Sequence, residues 1–107
     1  MEKHISLWGE KLFFDELKIL RDRVAELTLE IIRLSGERLF LARKIGEIKA
    51  QNRMPVDDPS VESELRDKVI DLSRKYGIDI NFSLKILNLL IEESKRVQRE
   101  IIESNPR

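Results

Sequence analysis

Apolar residues at Leu17, Leu20, Val24, Leu27, Ile31 and Leu34, and again at Leu41, Ile45 and Ile48, follow the three-and-four spacing of one helix face. No proline interrupts the run, so the pattern predicts a single helix from about Phe14 or Asp15 to about Gln51. About 37 residues at ~1.5 Å each would reach roughly 55 Å, whereas a compact chain of about 100 residues has a radius of gyration near 13 Å. Two shorter helices cannot cover such a seam alone. A second copy of the chain is therefore expected along it, most simply by two-fold symmetry.

The rest of the chain reads as two further helices. "NRMPVDDP" ends the first, because Pro55 and Pro59 cannot continue it. Asp58 before Pro59 has the form of an N-cap with proline at the first helical position. The second helix then runs to about Tyr76, with Val61, Leu65, Val69 and Leu72 on one stripe. Gly77 suits a left-handed stop and Asp79 a new cap. The third helix runs to about Glu103, with Leu87, Leu90, Val97 and Ile101 inward. Nothing reads as a strand. The expected fold is all-α, three helices per chain with one very long, in an intertwined helical homodimer. Residues 1–14, with Trp8 and Phe13, form an extension that lengthens the first helix, packs on the partner or is mobile; residues 15–107 form the domain.

Composition narrows the function classes. The chain of 107 residues carries 20 basic and 20 acidic side chains, so no net field draws nucleic acid or an anionic membrane. It has no cysteine and one histidine, His4, which leaves no thiolate or histidine metal site and no Ser–His pair. There is neither an apolar run of membrane length nor a signal-peptide core. A soluble, cytoplasmic protein with one activity is expected.

The seam position after Leu34 is Arg38, and a buried unpaired arginine costs several kcal/mol. Arg38 must therefore meet an anion, either a glutamate of the protein or a ligand, unless it snorkels to solvent. Lys49 lies three turns further on and points the same way. In the third helix Ser94 interrupts the inward stripe and Gln98 follows one turn later. The bland alternatives are a serine bonded back to its own helix and a half-exposed glutamine. Asp58 and Glu62 share a face of the second helix, where a cap and a first-turn acid would also be at home. Arg21 lies beside the seam, 17 residues before Arg38. At roughly 25 Å within one chain the two cannot serve one small ligand, but in an antiparallel dimer Arg21 of one chain can approach Arg38 of the other. Two arginines, a lysine, a glutamine, a serine and a carboxylate, without nucleophile or metal ligands, suit a small dianion held by positioning and electrostatics.

"LRDRV" around Arg21, "GERLFLARKIGEIK" with Arg38 and Lys49, "PVDDP" with Asp58 ahead of Glu62, and "LIEESKRVQ" with Ser94 and Gln98 stand in order along the chain. Through these motifs the chain resembles the all-helical (AroQ) class of chorismate mutases over about residues 15 to 103, without gaps between Arg21 and Gln98. The resemblance implies an intertwined homodimer with two equivalent sites. It also implies the Claisen rearrangement of chorismate to prephenate, on the route to phenylalanine and tyrosine, with no cofactor and no metal. Arg38, with Arg21 from the other chain, would clamp the two carboxylates. Lys49 and Gln98 would donate to the ether oxygen as the C–O bond breaks, one such donor typically being worth about 2.7–4 kcal/mol of barrier. Glu62 with the Asp58 region would bind the ring hydroxyl, and Ser94 would assist a carboxylate.

One position departs from the pattern. Val61 stands where many members carry an arginine just before the glutamate. That cation is missing or supplied from elsewhere, Arg53 and Arg66 being the candidates. Two alternatives stay in view: an isochorismate pyruvate-lyase on the same fold, which the acidic pair Asp58 and Glu62 disfavours, and a non-catalytic helical dimerisation module.

Overall fold

The computed structural model describes the backbone of residues 2–104 and the side chains of residues 9–104. Trp8, named above, has a side chain outside the described residues. Three helices follow one another: α1 spans Glu2–Gln51, α2 Pro59–Tyr76 and α3 Ile80–Ser104. No strand occurs among the described residues, and none of their helices is long and apolar enough to cross a membrane. α1 begins well before the expected Phe14 or Asp15. The stretch ahead of Leu17 lacks the seam but is free of proline and rich in Glu, Lys and Leu, which favour helix without any face to bury.

The chain divides into two compact units, residues 1–34 and 35–107. In the first, the predicted seam is open: Leu20 is 62% exposed, Val24 61% and Ile31 61%. Around it run short-range ion pairs, Lys18 with Asp22 at 2.9 Å and Arg23 with Glu26 at 3.1 Å.

The second unit holds the core. α2 and α3 form an antiparallel hairpin, with Glu62 beside Lys95 at one end and Ser73 beside Ser83 at the other. Gly77, at φ 65°, closes α2. Its N–H donates to the Arg74 carbonyl, and that of Ile78 donates to the Ser73 carbonyl, the paired bonds of a Schellman turn. Asp79 Oδ1 then accepts from the Phe82 N–H at 3.0 Å and starts α3. The final turns of α1 lie parallel to α3, with Arg38 reaching Ser94 and Lys49 reaching Gln98.

Within one chain α1 buries a line beside the seam expected to meet a second copy. Ala42, Gly46, Lys49 and Ala50 are buried, whereas Leu41, Ile45 and Ile48 are 53%, 45% and 56% exposed. Size decides this. A Cβ added at Gly46 would stand 3.2 Å from Gln98 Cα, so only the small-residue line lets α3 come this close. Leu87, Ile91 and Val97 of α3 complete the core.

Candidate active site

The three helices of the second unit enclose a cleft of about 270 Å³, slightly below the usual range for small-ligand sites. Leu41, Ala42, Ile45, Val61, Leu65 and Ile91 give it apolar walls; Arg38, Asp58, Glu62, Ser94, Lys95 and Gln98 give it polar groups.

Arg38 reaches from α1 to α3. Its Nη1 donates to the Leu90 carbonyl at 2.9 Å and to Ser94 Oγ at 2.5 Å. The internal glutamate, one of the alternatives above, does not pair with it among the described residues: both acceptors are neutral. Ser94 Oγ accepts from the arginine at 2.5 Å, which ties this serine to α1 and not only to its own helix. Burial pushes the Arg38 pKa down, because the charge loses water without gaining an anion; the group still stays protonated at neutral pH. Since both bonds leave from Nη1, the Nε–Nη2 edge keeps its donors for a planar two-oxygen acceptor.

Lys49 sits behind the cleft with its side chain 4% exposed. Its ammonium donates to the Val56 carbonyl at 2.7 Å, Asp58 Oδ2 at 2.6 Å and Gln98 Oε1 at 2.7 Å, one acceptor for each proton. Asp58 does stand at the N-cap of α2, but its side chain makes no cap bond. The buried ammonium takes the carboxylate instead, and Pro59, with no N–H to satisfy, lowers the cost. Gln98 is buried, not half exposed. A lysine can only donate, so Gln98 must turn its oxygen to Lys49, which leaves the amide NH₂ as a donor at the cleft.

Glu62, from the first turn of α2, pairs with Lys95 of α3 at 2.8 Å, and Lys95 also holds Asp57 of the preceding loop at 3.0 Å. Lys95 was not among the residues expected at the site. Its signal was its place one turn before Gln98 on the same helix face. The two arginines considered as substitute cations lie elsewhere. Arg53 is exposed at φ 54°, in the left-handed turn that closes α1, and Arg66 is exposed on α2. Arg21 is an exposed residue of the first unit and does not line the cleft.

Charge is unevenly spread along the cleft. At one end Arg38 is a cation without a carboxylate. In the middle Lys49 and Asp58 balance. At the other end Lys95 is shared by two acids, Glu62 and Asp57, leaving an acidic surplus. Such a cleft favours a ligand with an anionic group at the arginine end and a hydrogen-bond donor, such as a hydroxyl, at the glutamate end.

Comparison with known proteins points the same way. Residues 20–99 match the family described as chorismate mutase type II. The chain is 33% identical over 89 residues to a chorismate mutase of Methanocaldococcus jannaschii, covering 83% of this chain and 90% of that protein. It is 41% identical over 64 residues to a bifunctional chorismate mutase/prephenate dehydratase of Aquifex aeolicus, covering 59% of this chain and 18% of that protein. With the bifunctional protein of Escherichia coli K12 it shares 27% identity over 89 residues, covering 23% of that protein. The chain thus spans nearly all of the archaeal relative but under a quarter of the bifunctional ones.

Proposed function

The chain belongs to the type II chorismate mutase family, and we propose that its cleft converts chorismate to prephenate within a homodimer. The observation that carries this is Arg38: a half-buried guanidinium bonded only to neutral acceptors, with one donor edge left for a carboxylate.

Charge also argues for the second chain. The three cations Arg38, Lys49 and Lys95 are matched by Asp57, Asp58 and Glu62, so one chain offers no net charge to hold a dianion. Arg21 of the partner subunit would add the missing cation, and the open seam around Val24 gives that subunit a surface to cover. The carboxylates of chorismate would then lie between two arginines, fixing the conformer in which the reacting carbons approach.

The reaction breaks one C–O bond and forms one C–C bond within the substrate, with no electrons gained or lost. What helps is a donor at the ether oxygen as negative charge grows there. The Gln98 NH₂ is already free to donate. Lys49 has every proton engaged, so the ether oxygen would displace one acceptor. Asp58, with its side chain 39% exposed, is the one able to turn away. Glu62 would accept from the ring hydroxyl, at the acidic end, while Ser94 supports Arg38.

The test is product analysis of the purified protein with chorismate and, separately, with isochorismate. Prephenate formed from chorismate well above the uncatalysed rate is the expected result. Salicylate and pyruvate from isochorismate, with little prephenate, would show a lyase instead, and turnover of neither would overturn both.

A further inference from the structure

Glu62 emerges into an apolar stretch of the cleft wall, between Val61 and Leu65, with its side chain 20% exposed. A carboxylate there has three side-chain torsions and, from its own helix, no cation holding it. Among the described residues its one ion pair is with Lys95, whose side chain is 18% exposed. This differs from the surface pairs of the same chain. Lys18 and Asp22, for instance, lie one turn apart on one helix with side chains 75% and 63% exposed, and such pairs contribute little. The Glu62–Lys95 pair joins two helices across a lined cleft. Lys95 is itself braced from a third segment, since Asp57, just after the strained turn at Arg53, accepts from the same ammonium at 3.0 Å.

We propose that Lys95 is a positioning residue of this site: anchored by Asp57 of the α1–α2 loop, it fixes the Glu62 carboxylate for the substrate hydroxyl, supplying from α3 the cation that Val61 leaves α2 without. The assignment rests on the function proposed above for the cleft. Lys95 acts through Glu62 and through the loop, which also carries Asp58, the acceptor for Lys49. A single ammonium thus steadies both acidic groups at the hydroxyl end. Its pKa is raised, first by the bond to Glu62 and then by that to Asp57, so it stays charged throughout the neutral range.

The experiment compares wild type, Lys95→Met and Lys95→Arg in the full chain, measuring kcat and KM for chorismate, melting temperature and Glu62 side-chain couplings by NMR. Losing a hydrogen bond to a charged group should raise KM roughly 10- to 100-fold in Lys95→Met, with a smaller fall in kcat and a folded protein. Lys95→Arg should recover most of the loss. The Glu62 couplings should report one rotamer in wild type and an average in Lys95→Met. Unchanged KM with unchanged couplings would overturn the proposal, as would an arginine variant no better than methionine. The couplings need no turnover. An inactive wild type whose Glu62 is ordered only with Lys95 would fault the assigned reaction and leave the positioning role standing. An active wild type whose Glu62 ignores Lys95 would do the reverse.

Discussion

Residues 9–34 and 35–51 belong to one helix and follow one apolar rhythm, yet they bury different things. In the first stretch every large seam residue from Leu20 to Leu34 is 45% exposed or more, and the charged pairs around it are local and solvated. In the second, the apolar line is again open while the small residues beside it, Ala42, Gly46 and Ala50, are buried with Lys49, and Gly46 lies directly against the chain's own α3. Periodicity announces that a face will be covered; side-chain size determines what can cover it. Small residues admit a helix of the same chain at close approach. The large residues are left exposed by a single chain, which is why the dimer and the cleft belong to one proposal.

The sharpest way to break this comparison is to charge the open seam. Val24→Asp would place a carboxylate on the proposed interface, where burying an unpaired charge costs several kcal/mol. The expected result is loss of the dimer in sedimentation and loss of essentially all turnover, since each site would also lose its second arginine. A Val24→Asp protein with wild-type sedimentation and activity would leave the seam without a partner to explain.

The next largest effect separates the two arginines. Arg38→Ala and Arg21→Ala should each lower kcat/KM by about 10²–10³-fold, the scale for removing one pre-aligned donor, with folding retained. If the two act on one substrate from different chains, mixing the variants should restore a working site in the heterodimers, up to a quarter of wild-type activity for random pairing. No recovery after verified subunit exchange would mean that Arg21 serves no site across the interface.

Gly46 and Gly9 put the two halves of α1 side by side at smaller scale. A methyl at Gly9 meets nothing within 4 Å, whereas one at Gly46 meets Gln98 Cα at 3.2 Å and Gln98 Cγ and Ile101 Cδ1 at 3.4 Å. Gly9→Ala should therefore gain helix propensity, at most about 1 kcal/mol, with activity unchanged. Gly46→Ala gains the same propensity but must push α3 back by a few tenths of an ångström. Its stability should change little or fall by about 1–2 kcal/mol. Its activity should drop about ten-fold, because Gln98 is the residue displaced and a misplaced donor is costly. Equal activity in both variants would show that the α1–α3 spacing does not tune the site.

How much of this was legible in the sequence follows the same division. The ends of α2 and the start of α3 could be read because Pro59, Gly77 and Asp79 each act through local backbone chemistry. The start of α1 could not, because helix propensity persists where the seam has faded. Arg38, Lys49, Ser94 and Gln98 stood out by being polar where the pattern called for apolar residues. Lys95 did not. It lies in "EESKR", a run in which any one charge is expected to face water, and its partners, Glu62 on α2 and Asp57 in the loop before it, draw it inward. The loop acid Asp57 was hidden for the same reason, next to an aspartate that already had a helix cap to explain it.

Asp57 provides the mildest test, one of sign more than size. Lys95 holds its carboxyl below the usual carboxylate range, mainly through their hydrogen bond, with Arg99 and Lys49 adding weaker attraction. A depressed pKa means that the stabilisation is present above the unfolded value, about 3.9, and is lost as pH falls through the lower folded value. Lys95 has the opposite sign: its contribution is full below about 10.4 and disappears as pH rises through its raised value. Between roughly pH 5 and 9 the loop anchor should therefore be constant. In that window Asp57→Asn should melt slightly below wild type by a fixed margin, with KM raised less than in Lys95→Met, because Glu62 keeps its partner. The margin should shrink as pH falls below about 3.9 and close once pH has passed the lower folded value, where wild type carries a neutral group at 57 as well. A margin that persists in acid would show that Asp57 acts through its shape in the turn and not through the charge it shares with Lys95.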